Sequence, residues 1–139
     1  MLIAGKKPLM KVYEDNYQAL VRLVPDMEVS TAILSASDAL PDLHMEVLER
    51  GKYTLTLAFL HVLDDQIVPD MYLKVKVYND AQVAEVLTYQ NKTGFARIYT
   101  YPNNNIRYPI EKRRVNLFFS EWLAYCTSRG YRFAFSAAV

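Results

Sequence analysis

Residues 71–101 read MYLKVKVYNDAQVAEVLTYQNKTGFARIYTY, and their pattern decides the fold. Met71, Leu73, Val75 and Val77 alternate with Tyr72, Lys74, Lys76 and Tyr78, the period of two that a half-buried strand requires. Asn79-Asp80 supplies a tight turn into a second strand, AQVAEVLTY, and a turn at Gly94 leads into a third, FARIYTY. With a two-residue loop, Tyr78 falls opposite Ala81, Lys76 opposite Val83 and Lys74 opposite Glu85. The other face then pairs Val75 with Ala84 and Leu73 with Val86, apolar throughout. A slip by one residue would bury both lysines, so the pattern supports this assignment of faces. A three-residue loop at 92–94 sets Tyr89 opposite Arg97 and Leu87 opposite Tyr99, whereas a four-residue loop sends Arg97 inward, where it needs a partner.

Outward from this core, the upstream segment forms a further hairpin, Leu43 to Glu49 and Tyr53 to His61, turning through Arg50-Gly51-Lys52. Residues 27–36 lean towards strand, and Pro41 lies in the loop between. A first helix is expected from Pro8 to Val24, with Tyr13, Tyr17, Leu20, Val21 and Val24 on its core face and Pro25 beyond its end. A second is expected from Pro109 to Arg129, closed by Gly130, with Val115, Phe118, Phe119, Trp122 and Cys126 as its apolar stripe. Tyr131, Phe133 and Phe135 alternate with smaller or polar residues in a tail that either adds a strand or packs across the core edge. The expected fold is α+β in one domain spanning 1–139. An N-terminal helix, a five- to six-stranded antiparallel meander and a C-terminal amphipathic helix follow in order, with both helices on the apolar sheet face.

The bulk properties exclude several classes. The chain has 139 residues, 52% hydrophobic and 22% charged, which is enough apolar material for a folded core. A net charge of +1 rules out polyanion binding by bulk electrostatics. No stretch approaches eighteen apolar residues, so no membrane span and no membrane partner are expected. One cysteine, Cys126, permits no internal disulfide and fits a reducing compartment. With no secretory apolar stretch at the N-terminus, the expected location is the cytoplasm.

Catalytic signals are missing. The four glycines, Gly5, Gly51, Gly94 and Gly130, build no phosphate loop, and no hydrolase elbow is found. His44 and His61 lie on opposite strands of one hairpin, three pairs apart on the expected register, and no cysteine cluster could complete a zinc site. Asp64, Asp65 and Asp70 share a polar connection without calcium-loop spacing. Cys126 sits on an apolar stripe, the setting of an inert thiol. No enzyme activity, cofactor or metal is expected.

Two surfaces remain. Tyrosine is abundant at 11 residues, and Tyr72, Lys74, Lys76, Tyr78, Glu85, Tyr89, Arg97, Tyr99 and Tyr101 would share the outward sheet face. Rings beside cations can stack on a ligand and hold phosphates, although half-solvated sheets carry Tyr and Lys for plain packing reasons too. Arg107, Lys112, Arg113 and Arg114 cluster where the second helix begins, opposing its dipole but offering charge and free N–H groups to an anion. These features point to a non-enzymatic binding or regulatory module. Its expected partner is another protein, with a nucleotide or single-stranded nucleic acid as the alternative at the same face, and self-association also open.

The block VKVYNDAQVAEVLTYQ, then FARIYTYPNNN and EKRRVNLFFSEWLAYCTSRG, resembles the YqiB-like family of small uncharacterised bacterial proteins. The likeness rests on Tyr78, Asp80, Val83-Ala84-Glu85-Val86 and Tyr101-Pro102-Asn103. It continues through Glu111-Lys112, Asn116, Trp122-Leu123 and Tyr125-Cys126, and takes in Asn16 to Pro25 and Glu49 to Tyr53. It covers nearly the whole chain and implies no activity. His44 and Asp64-Asp65 stand outside the family pattern.

Overall fold

A computed structural model describes residues 7–25, 27–36, 40, 42–61, 71–91, 98–100 and 109–137. Helix α1 (Leu9–Leu23) starts after Pro8, whose φ of −59° is already helical, and its first turn closes on the Pro8 carbonyl. Val12, Tyr13, Asn16, Leu20 and Leu23 recur every three or four residues and are buried. Strands β1 (Thr31–Ser35), β2 (Leu43–Arg50), β3 (Thr54–His61), β4 (Met71–Tyr78), β5 (Val83–Asn91) and β6 (Ile98–Thr100) follow. Helix α2 (Pro109–Ser128) and strand β7 (Arg132–Ala137) complete the order.

The seven strands form one sheet in the order β6-β5-β4-β3-β2-β1-β7, each adjacent pair antiparallel. Six of them are the expected meander. The seventh is the tail, which returns to pair with β1, and residues 27–36 yield β1, so the sheet exceeds the expected five or six strands.

The α2 terminus shows how local chemistry aims that tail. Gly130 takes φ +83°, Tyr131 N–H donates to the Cys126 carbonyl at 3.0 Å, and Gly130 N–H donates to the Thr127 carbonyl at 3.1 Å. This paired bond is the Schellman arrangement, which a residue with a Cβ adopts only under strain.

Both helices cover the same sheet face. Leu34, Met45, Leu55, Leu57, Phe59, Leu73, Val75 and Val86 form one buried cluster with Leu20, Val24, Phe119, Leu123 and Cys126. Phe59 meets Trp122 edge-on at 5.2 Å between centroids. At roughly 1.5–3 kcal/mol per fully buried large apolar side chain, this face supplies most of the folding drive.

Two registers depart from the expected ones. The first turn of the 71–101 unit spans Asn79 to Gln82, so Tyr78 pairs with Val83 and Lys76 with Glu85. Gln82 carries φ +57°, and its N–H donates to the Tyr78 carbonyl at 2.8 Å. Lys74 therefore faces Thr88, not Glu85. The slip is by two residues, which preserves the faces because the pleat repeats every two. A bulge then changes parity: Lys74 pairs with Thr88 but Val75 with Val86, leaving Leu87 as the extra residue. Past it, Tyr89 turns to the helix side, where its ring packs on Phe118 at 4.7 Å. Placing Tyr89 on the outward face was thus wrong.

In the upstream hairpin Arg50 pairs with Leu55, and Leu48 is the extra residue of another bulge. His44 consequently faces Leu60, one pair and not three from His61. Arg50 locks this end by donating to the Met27 and Val29 carbonyls at 2.9 and 3.2 Å.

Candidate functional site

The sheet face opposite the helices is assembled by backbone register. Ile33, His44, Leu60, Tyr72 and Gln90 form one row across β1 to β5. Thr31, Glu46, Ala58, Lys74 and Thr88 form the next, followed by Glu49, Thr56, Lys76 and Glu85. Directly opposed residues project to one side. On β4 the burial alternates strictly, with Met71, Leu73, Val75 and Val77 buried and Tyr72, Lys74, Lys76 and Tyr78 half-buried.

Four expected site residues, Tyr72, Lys74, Lys76 and Tyr78, are therefore brought together along β4. Lys76 Nζ lies 5.4 Å from the centroid of the Tyr78 ring, within cation–π range. Tyr78 Oη donates to Glu85 Oε1 at 2.7 Å, and Lys112 Nζ of α2 lies 3.6 Å from Glu85 Oε2. Glu85 is only 8% exposed, so its carboxylate is held by a phenol and an ammonium that offset its desolvation. The Tyr72 phenol is pushed up by burial, with the charge of Glu46 adding to the shift.

The other expected residues do not join this row. Tyr99 pairs in the backbone with Tyr89, not with Leu87. Arg97, Tyr101 and Arg107 lie outside the described residues. The basic cluster is divided: Lys112 reaches Glu85, Arg113 donates to the Lys7 carbonyl at 2.6 Å, and Arg114 is exposed. Arg113 thus ties α2 to the segment that leads into α1.

Sequence reasoning missed the lower half of the face. A cavity of about 340 Å³ is lined by Thr31, Ile33, His44, Glu46 and Leu60, with Ala32 and Met45 contributing. Ile33 and Leu60 give it apolar walls, and His44 and Glu46 stand exposed at its margin. The signal was present in the alternation of TLTLAFLH and LHMEVLER, but only the bulge at Leu48 sets His44 beside Leu60. Ala58 is fully buried on this face because Glu46 and Lys74 flank its methyl group in register.

Among the described residues no group of three or more His, Cys, Asp or Glu is placed to hold a metal ion. Cys126 is buried, and burial pushes its thiol up to about 12, far from the range of a nucleophile. No described helix is long and apolar enough to cross a membrane.

Residues 19–132 match the family model described as a protein of unknown function, DUF1249. The chain is 32% identical over 126 residues to the uncharacterised protein YqiB of Escherichia coli strain K12, covering 88% of each chain. The YqiB proteins of E. coli O6:H1 and O157:H7 match to the same extent. No solved structure matches the chain.

Proposed function

The chain belongs to the DUF1249 family of proteins of unknown function, and we propose that it is a non-enzymatic binding or regulatory module of the cytoplasm. The helix-free sheet face docks a protein partner. One observation carries this reading: the face joins an apolar-walled cavity of about 340 Å³ to a tyrosine–lysine row in the same register. The cavity accepts one apolar side chain of the partner, and Tyr72 supplies a rigid, amphipathic ring beside it. Glu46 and the two lysines orient the bound chain.

A protein partner is favoured over nucleic acid by the charge pattern. Lys74 and Lys76 lie between Glu46 and Glu49 on one side and Glu85 on the other. Phosphates need an uncompensated positive track, and these carboxylates interrupt it.

The test is affinity for the captured partner, measured for the wild type and for a Leu60→Ser, Tyr72→Ala variant. Loss of the cavity wall and the ring weakens binding by about tenfold or more, the usual effect of removing a buried anchor. Raising salt from about 50 to 200 mM changes the affinity by far less than the roughly 10³-fold loss of a multi-phosphate contact. Unchanged affinity in the variant overturns the sheet-face reading, and a steep salt loss transfers it to nucleic acid.

A further inference from the structure

The sheet has two edges, and they are finished differently. At one edge β6 is only three residues long, pairing Ile98 to Thr100 with Gln90 to Thr88. Beyond it the Val86 N–H donates to Asn116 Oδ1 of α2 at 2.9 Å, and Lys112 of the same helix reaches Glu85. A short strand and a covering helix are two recognised devices against strand addition. At the other edge β7 is six residues long and, among the described residues, pairs with β1 alone. Its sequence, RFAFSA, contains no Lys, Asp, Glu or Pro, and its one charge, Arg132, stands at the first position. A bulge at Ala134 bends this strand, but after Arg132 its own sequence carries no charge.

We propose that β7 is a self-association edge, pairing antiparallel with β7 of a second copy of this chain. The charge pattern selects a second copy. A twofold axis between Ala134 and Phe135 sets Arg132 opposite Ala137 and Phe133 opposite Ser136, so no like charges are opposed. The same axis, perpendicular to the sheet, keeps both helix layers on one side. The two seven-stranded sheets then become one, and their helix-free faces run together on the other side. β1 borders both the cavity and β7, so the two copies of β1 stand three strand spacings apart, about 14 Å. The dimer contact itself rests on the edge and not on the proposed partner docking, so each can fail alone.

Sedimentation of the full chain tests this, comparing wild type with Ala134→Lys and Ala134→Pro. Ala134 is the bulge residue, outside the β1 register, so these changes spare the β1–β7 pairs. The expected result is a wild-type species of twice the chain mass and about tenfold weaker association in variants with wild-type circular dichroism, the effect of losing one or two net hydrogen bonds. A monomeric wild type overturns the proposal, as does a dimer that persists in both folded variants. Should both variants unfold, hydrogen exchange of the wild type decides: the β7 amides that point away from β1 gain protection with concentration if β7 pairs with a second copy, and concentration-independent exchange at those amides refutes it.

Discussion

Asn116 Oδ1 accepts the main-chain N–H of Val86 at 2.9 Å, so a helix side chain completes a strand that its own neighbour is too short to pair. Both residues are fully buried. The same asparagine donates through Nδ2 to the Lys112 carbonyl, and its own carbonyl accepts from Asn16 Nδ2 at 3.1 Å. Ser120 Oγ donates to Asn16 Oδ1 at 2.5 Å. One polar chain thereby links α1, α2 and β5 through a core that is otherwise apolar. Its value lies in leaving no donor stranded, since a buried polar group without a partner costs far more than a made bond gains.

Replacing Asn116 with leucine should cost about 2–3 kcal/mol, because the Val86 N–H is left buried and unpaired, while the Asn16 bond to the main-chain carbonyl of residue 116 is kept. Urea unfolding measures the loss, and amide exchange should show the Val86 proton losing protection ahead of its neighbours. A variant as stable as wild type would mean that water reaches this edge.

Gly130→Ala should cost about 1 kcal/mol and Gly130→Asn less. A Cβ at Gly130 would meet nothing within 4 Å, so the penalty comes from φ +83° alone. Thermal unfolding of the two variants checks the order. An alanine variant as stable as the asparagine one would contradict the left-handed cap.

Stability should fall as pH rises above about 9. Burial raises the Cys126 thiol from its ordinary 9.0 to about 12 in the folded chain. Between those values the unfolded chain has lost a proton that the native one keeps, so the slope of stability against pH is negative. Burial shifts the Tyr72 and Tyr131 phenols in the same direction. Urea midpoints of wild type and Cys126→Ala from pH 8 to about 10.5 should therefore converge, with wild type losing more. Parallel lines would show the thiol to be accessible.

Elements set by periodicity were legible in the sequence. The alternation of MYLKVKVY fixed which side of β4 faces the core, and Pro8, Pro25 and Gly130 bracketed the helices to within a residue or so. Loop lengths and bulges were not legible. Asn79-Asp80 has the composition of a two-residue turn, yet the chain carries Ala81 and Gln82 through it, with Gln82 left-handed. An extra residue at Leu48 or Leu87 leaves no mark in a hydrophobic pattern, because it costs a single ladder step and is repaid by packing such as Tyr89 on Phe118. That is why four candidates on β4 came together, Tyr89 left the face, and the cavity beside His44 went unseen.

Site-resolved photo-cross-linking in living cells tests the docking claim most directly. A photoreactive residue is placed at Leu60 or Lys74 on the helix-free face, and at Leu117 on the exposed side of α2 as control. One discrete protein adduct is expected, shared by Leu60 and Lys74 and missing at Leu117. An adduct confined to Leu117, or one from the sheet face that nuclease removes, would contradict it.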